Sequence, residues 1–406
     1  MADQTIEEAT RLLQEYHYDL PEERIAQQPV EPRDSSRLLV LHRDTGNREH
    51  RIFRDVVDYL RAGDTLVLNN TRVSARRLRG FKTTGAQVEA LLLREVQSGV
   101  WEALVRPGRR LLVGSQVILE GHLKAEVIAC LPQGMRLLRF EDPQAVHHQP
   151  LGEIPLPPYI RRKLQNEERY QTVYAAVNGS AAAPTAGLHF TPELLQRIRE
   201  MGVRIVYITL HVGIATFRHP EPEQLAQGRL HPEWYTISEE AAEAINSTPG
   251  RIVAVGTTCV RALESAAVAP RQLQARSGST ELFIMPGFRF QIVEALVTNF
   301  HQPASTPLLL TCAFAGKERV FEAYREAIAM GVPLPELWRR HVDTLGGLHR
   351  ENVRGLVQIS GTAVCGRERA EGIQAITGTC ATQTGTCTAR AGSQPSGNTS
   401  CSGASA

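Results

Sequence analysis

Cysteine is scarce in this chain of 406 residues, with seven in all, and no two of them form a C-x-x-C pair. A disulfide framework or a thiolate metal site is therefore not expected. Four of the seven, Cys365, Cys380, Cys387 and Cys401, lie near the C-terminus, and Cys130, Cys259 and Cys312 are far apart in the body. Long apolar runs are missing too, since no stretch approaches the roughly 18 residues of a membrane span. Residues Met1 to Glu8 are acidic where a secretory leader is basic, so a cytoplasmic protein with no membrane partner is expected. Neither a G-x-x-x-x-G-K-[ST] loop nor a G-x-G-x-x-G turn occurs, which leaves nucleoside triphosphate and dinucleotide binding unsupported. An excess of one charge is also lacking: 45 Lys+Arg against 43 Asp+Glu give +2, a balance that neither demands nor excludes a nucleic-acid partner.

What the chain does have is a run of small residues from Gly179 to Thr191, Gly-Ser-Ala-Ala-Ala-Pro-Thr-Ala-Gly-Leu-His-Phe-Thr. Small side chains let backbone amides approach a ligand, Pro184 stiffens the path, and Gly187 is free to take positive φ. Thr191-Pro192-Glu193 reads as N-cap, N1 proline and first-turn acid, which sets His189 just outside a helix mouth. By itself such a run is also what a Gly/Ala-rich connector with a surface histidine looks like.

Three further segments share its character. Arg251 to Val255 reads as a buried strand that passes through Gly256-Thr257-Thr258-Cys259 into a helix carrying Arg261 and Glu264. A strand, a Gly-Thr-Thr turn and a helix present free backbone N–H groups to an anion. Strand-like Ile292 to Val297 leads through Thr298-Asn299-Phe300-His301-Gln302-Pro303 to an apolar helix from about Ser305 to Phe314, and strand Val203 to Ile208 ends at Thr209-Leu210-His211-Val212-Gly213. His189, His211 and His301 thus flank strand-to-helix turns, where open α/β sheets collect ligands, although each alone also reads as a hydrogen-bonded structural histidine. Cys259 opens its helix and reads as a small buried residue.

Between Ala75 and Asp142 the pattern changes to short strands with turns: Gln87 to Leu93, Val100 to Val105, Gln116 to Leu119, Leu123 to Ile128 and Met135 to Phe140. This predicts a small antiparallel β-barrel inserted into an α/β main domain. The expected division is residues 1–74 and 151–331 for the main domain, 75–150 for the barrel, and 332–406 for a separate tail. Three basic patches, Arg72, Arg76, Arg77, Arg79 and Lys82, then Arg106, Arg109 and Arg110, then Arg161, Arg162 and Lys163, are candidate phosphate contacts.

Several of these segments resemble one family. The runs Gly179 to Thr191, Thr209 to Phe217, Leu230-His231-Pro232-Glu233-Trp234-Tyr235, Val255 to Ser265, Pro286-Gly287-Phe288-Arg289-Phe290 and Thr298 to Pro303 are similar to S-adenosylmethionine:tRNA ribosyltransferase-isomerases of queuosine biosynthesis. Tyr18 to Gln27, Leu68-Asn69-Asn70-Thr71-Arg72-Val73 and Gly152 to Ile160 agree with the same family, collinearly from about residue 18 to about residue 331. The resemblance implies the same two-domain organisation.

It also implies a reaction. The ribosyl unit of S-adenosylmethionine moves onto the aminomethyl group of 7-aminomethyl-7-deazaguanine at the wobble position of a tRNA with a GUN anticodon, giving epoxyqueuosine and releasing adenine and methionine. No cofactor is implied, S-adenosylmethionine being the co-substrate. That chemistry needs a base for the carbon beside the sulfonium, an acid for departing adenine and an anchor for the methionine carboxylate. The candidates are His189, His211 or His301 as base or acid, with Glu233 and Glu264 as alternatives. Thr257, Thr258 and Arg261 are candidate anchors, Asn299 a hydrogen-bond partner for a base edge or ribose, and Thr185, Gly187, Asn69, Asn70 and Arg72 further substrate contacts. Two rivals are a tRNA base-exchange transglycosylase, for whose carboxylate nucleophile no motif is visible, and a non-catalytic RNA-binding protein. A monomer is expected, since there is no heptad repeat.

Two departures from the family stand out. After His301 this chain has Gln302-Pro303-Ala304-Ser305-Thr306-Pro307 where the family carries Leu-Pro-Lys-Ser-Thr-Leu, so a lysine is lost and Pro307 is tolerable only in a first helical turn. After Gly331 the family's Tyr-Arg-Phe-(Phe/Pro)-Ser-(Tyr/Phe)-Gly-Asp-Ala-Met-Leu-Ile is replaced by Val332-Pro333-Leu334-Pro335-Glu336-Leu337-Trp338-Arg339-Arg340-His341-Val342-Asp343-Thr344. Read one nucleotide later, codons for this run can spell the family segment, so a frameshift at or just before Val332 is expected. Beyond Glu371 only Arg390 is charged, and the Thr/Ser/Gly/Ala-rich composition predicts a disordered tail and an impaired enzyme.

Overall fold

The computed structural model describes residues 2–332 apart from 148–150, 158, 163 and 214–221. The segment 333–406, which holds all but the first residue of the tail expected to be frameshifted and the four late cysteines, lies outside the described residues, as does Lys163.

The main sheet has six strands in the order Arg276–Leu282, Arg229–Ile237, Arg204–Leu210, Thr65–Asn69, Ile252–Val255 and Ala295–Val297. The last four are mutually parallel, and the first two add antiparallel to one edge. All five residues of Thr65–Asn69 are buried, as a parallel strand covered on both faces requires. Side chains alternate with period two: Leu66, Leu68, Val253, Val255 and Val297 enter one core with Phe53, Phe190 and Leu194, whereas Val67, Ile252, Ala254 and Leu296 enter the other with Val260, Leu263 and Phe314.

Helices on both faces begin at hydroxyl side chains that cap them, and Thr191 is the cap read from the sequence. Thr191 Oγ1 accepts the Leu194 N–H ahead of Pro192–Glu200, Ser238 accepts from Ala241 ahead of Glu239–Asn246, and Ser305 accepts from Leu308 ahead of Thr306–Ala315. Pro307 occupies the first turn of that last helix, where its missing N–H breaks no bond. Lys317–Ala329 follows and packs Val320, Ala323 and Tyr324 against Tyr16, Phe300 and Leu309.

Between the strand Thr71–Val73 and residue 151 the chain forms a closed antiparallel barrel of six strands, Met135–Phe140, Val100–Arg106, Gln87–Gln97, Arg76–Lys82, Gln116–Leu119 and Leu123–Cys130, in that order around it. The mixed α/β fold with its antiparallel barrel is thus the fold class read from the sequence. Five barrel strands lie where the alternation put them. The sixth, Arg76–Lys82, was read only as a basic patch, because it buries a single apolar side chain, Leu78. Gly80 lets this strand close the barrel, since a Cβ there would lie 2.0 Å from the Ile118 carbonyl oxygen.

Three other readings change. The strand expected over Ile292 to Val297 begins only at Ala295, because the Ile292 and Val293 N–H groups donate to the Glu264 carboxylate instead of to a neighbouring strand. Gly187 does not use positive φ. Its missing side chain admits Tyr174, whose Oη would lie 2.0 Å from a Cβ. A helix, Ala2–Glu15, precedes the first motif and had no counterpart in the sequence reading.

Candidate active site

The four parallel strands end together at Asn69, Leu210, Val255 and Val297, and the segments that follow them build a cleft at the sheet's carboxyl edge. One wall is the small-residue run, Ala182-Ala183-Pro184-Thr185-Ala186. The floor is Gly256-Thr257-Thr258, and the opposite wall is Thr298-Asn299-Phe300-His301-Gln302 with Ser305 and Pro307. Pro157, Tyr159 and Tyr170 close the far end. Gly256 makes the floor possible: its φ of 85° turns the chain from strand into helix without a side chain.

His301 stands on the cleft wall. Its Nε2 lies 3.0 Å from Thr298 Oγ1, and its backbone N–H donates to Tyr324 Oη at 2.9 Å. Tyr18 Oη donates to its carbonyl oxygen, so two phenols clamp the peptide on either side. Burial drives the imidazole pKa down to about 3, which keeps it neutral at physiological pH.

Asn299 shares the wall and is 4% exposed. His189 does not line the cleft but lies behind it, with Nε2 3.3 Å from Asn299 Oδ1, Nδ1 2.8 Å from Ser36 Oγ and its ring tilted against Phe53. Thr185 lines the cleft, and Gly187 sits behind it against Tyr174 and Thr172.

Glu233 and Arg261 form a buried ion pair, 5% and 11% exposed, on a side pocket that adjoins the cleft at Thr257, Thr258 and Pro307. Other candidates fall outside both hollows. His211 stacks on Trp234 with ring centroids 5.3 Å apart, accepts or donates at Thr71 Oγ1 over 2.8 Å, and presses on Gly179, while burial lowers its pKa. Glu264 accepts three backbone N–H groups, from Gln291, Ile292 and Val293, at 2.8–3.0 Å; burial raises its pKa against those bonds. Asn69 bridges strand ends through Leu210 and Thr71, Asn70 accepts from Thr209, and Arg72 pairs with Glu168.

The cysteine at the helix start is buried, and desolvation pushes its thiol far above the ordinary range. Among the basic patches, Arg76, Arg77, Arg79 and Arg161 pair with Glu167, Glu89, Glu153 and Glu22, whereas Arg106, Arg109 and Arg110 are exposed on the barrel. Tyr170, on the cleft wall, and Tyr324, behind His301, were missed by sequence reasoning, because no local spacing marks them and packing alone brings them there; Tyr18 and Tyr159 belong to segments that resemble the family, but no role was read for either.

A cleft at the carboxyl edge of a mostly parallel sheet, walled by hydroxyl, amide and neutral imidazole groups, defines an α/β enzyme with a small-molecule site. The chain belongs to the family described as queuosine biosynthesis protein, whose model matches residues 13–332 and so ends beside the expected frame change. S-adenosylmethionine:tRNA ribosyltransferase-isomerase of Desulfitobacterium hafniense is 50% identical over 327 residues, 79% of this chain and 96% of that protein. The protein of the same name from Moorella thermoacetica matches to the same extent. The solved S-adenosylmethionine tRNA ribosyltransferase of Thermotoga maritima is 37% identical, covering 85% of this chain and 99% of its own, with a TM-score of 0.46.

Proposed function

We propose that this chain is an S-adenosylmethionine:tRNA ribosyltransferase-isomerase. It transfers and isomerises the ribosyl unit of S-adenosylmethionine onto 7-aminomethyl-7-deazaguanine in the wobble position of a GUN-anticodon tRNA, yielding epoxyqueuosine, adenine and methionine. The observation that carries the reading is collinearity: relatives of that name match over 96% of their length, and the matching motifs build the cleft walls.

In this reading His301 takes the proton from the carbon beside the sulfonium. It is on the cleft wall and neutral, and the carbanion developing next to it stabilises an imidazolium that burial alone disfavours. Asn299 holds a ribose hydroxyl or base edge, and His189 orients it. Thr185 and the N–H groups at Thr257 and Thr258 approach the substrate, and Arg261 anchors the methionine end. Glu264, Asn69, Asn70, Gly187, His211 and Arg72 support these groups through the bonds and contacts above. Arg106, Arg109 and Arg110 meet the tRNA backbone, and residues 75–150 act as an inserted domain in a cytoplasmic monomer that takes S-adenosylmethionine as co-substrate with no added cofactor.

The test is adenine release from S-adenosylmethionine by the full chain, with and without tRNA carrying the aminomethyl base. Release that requires that tRNA supports the function. Absence of release both from this chain and from a version with the family reading frame restored at Val332 overturns it.

A further inference from the structure

His211 and Trp234 form a ladder of two rings at the carboxyl edge of the main sheet. Leu210 ends its strand opposite Tyr235, and the next residue, His211, donates its backbone N–H to Trp234 O at 2.9 Å. The side chains follow the backbones, with ring centroids 5.3 Å apart and planes 17° from parallel. Val212, the residue after His211, lines the cleft, so the ladder stands directly beside it.

The inner ring is locked. His211 Nδ1 lies 2.8 Å from Thr71 Oγ1, and Nε2 fills the space over Gly179, where a Cβ would lie 2.6 Å away. The outer ring is uncovered: Trp234 pairs across the sheet with Ser279, a small exposed residue, and is itself 45% exposed. A single exposed aromatic is ordinary on a protein surface. An indole backed by a fixed imidazole differs in one respect, because its orientation is set before anything binds and little freedom is lost when a flat partner lies on it. The indole has one N–H donor at its edge and none on its face, so it offers a planar partner stacking without reading that partner's edges.

A nucleobase that reacts in a cleft must leave the stack of its own loop, and the bases beside it lose a neighbour at the same time. An aromatic platform at the cleft's rim replaces that lost stacking. We infer that Trp234, backed by His211, stacks an unpaired nucleobase adjacent to the one that enters the cleft. This rests on the proposed function, in which the reacting base belongs to a tRNA anticodon loop, and it adds a contact to the RNA outside the reacting nucleoside.

The experiment compares binding of the full chain to an anticodon stem–loop of GUN sequence and to the same stem–loop with abasic sites on both sides of the wobble nucleotide. Wild type should prefer the intact stem–loop by about five-fold or more, and Trp234→Ala should bring the two within about two-fold. Trp234→Phe keeps a π-face and should retain most of the preference. A second readout is fluorescence. With Trp101→Phe and Trp338→Phe in place, Trp234 is the sole tryptophan, and the intact stem–loop should quench its emission while the abasic one leaves it nearly unchanged. That series keeps Trp234, so it decides the matter even where Trp234→Ala fails to fold. The same preference in wild type and Trp234→Ala, or unquenched emission at saturating intact stem–loop, overturns the stack and leaves the function standing. Wild type that binds neither a stem–loop nor whole tRNA overturns both.

Discussion

His189 Nε2 and Asn299 Oδ1 lie 3.3 Å apart across 110 residues of sequence, and the contact sets the state of both side chains. An amide oxygen only accepts, so Nε2 carries the proton and Nδ1 accepts from Ser36 Oγ at 2.8 Å. The amide N–H groups of Asn299 are then the ones available to the cleft. Ser36→Ala removes the donor that selects this tautomer. We expect turnover, measured as adenine release, to fall about 10-fold to 100-fold with an unchanged thermal midpoint. Unchanged turnover would show that His189 needs no such partner.

His301 gives a pH signature whose sign is fixed. Burial depresses its folded-state pKa from 6.5 to about 3. Between those values the unfolded chain takes up a proton that the folded chain refuses, so this site's contribution to stability is complete above pH 6.5 and declines as pH falls toward 3. Urea midpoints of the wild type should therefore drop more steeply between about pH 7 and about pH 5 than those of His301→Asn. Parallel slopes would mean that the imidazole is solvated in the folded protein.

Gly187 is required by space. A Cβ would sit 2.0 Å from Tyr174 Oη, with Thr172 Cγ2 next at 3.0 Å. Gly187→Ala should cost about 1–3 kcal/mol in chemical denaturation. Adding Tyr174→Phe removes the atom that clashes and should recover most of that loss. A double variant no better than the single one would place the strain in the backbone.

Glu264 was a candidate base from its position in the sequence, and its hydrogen bonds make it a structural acceptor. Replacing it by Ala strands three buried or half-buried N–H groups, which should lower stability by about 3 kcal/mol or more. Glu264→Gln keeps one acceptor oxygen and should fall between. Turnover at a temperature where Glu264→Gln remains folded should stay within about three-fold of wild type, whereas a true base would lose about 100-fold or more.

Much of the fold was legible in the sequence, where local chemistry decides the outcome. Thr191 was legible as a helix cap, and Ser238 and Ser305 act in the same way, because a side-chain oxygen reaches an N–H three residues on, an interaction needing no tertiary partner. Five barrel strands and three of the four parallel strands were readable from period-two and continuous apolar runs, whereas the central strand Thr65–Asn69 was not read. The motifs that resemble one family carried the functional reading, because each occupies contiguous residues.

Tertiary structure alone decided which of those residues face the cleft. The three histidines look alike in sequence, each beside a strand-to-helix turn. Packing puts His301 on the cleft wall, His189 one residue behind it and His211 under Trp234. The strand Arg76–Lys82 and the shortened Ala295–Val297 were hidden for a related reason, since the groups that satisfy their backbones, Ile118 across the barrel and Glu264 in a distant helix turn, lie far away in sequence. Caps and periodicity depend on neighbours within about four residues, but a site depends on contacts across a hundred or more, and no local pattern encodes which of those contacts form.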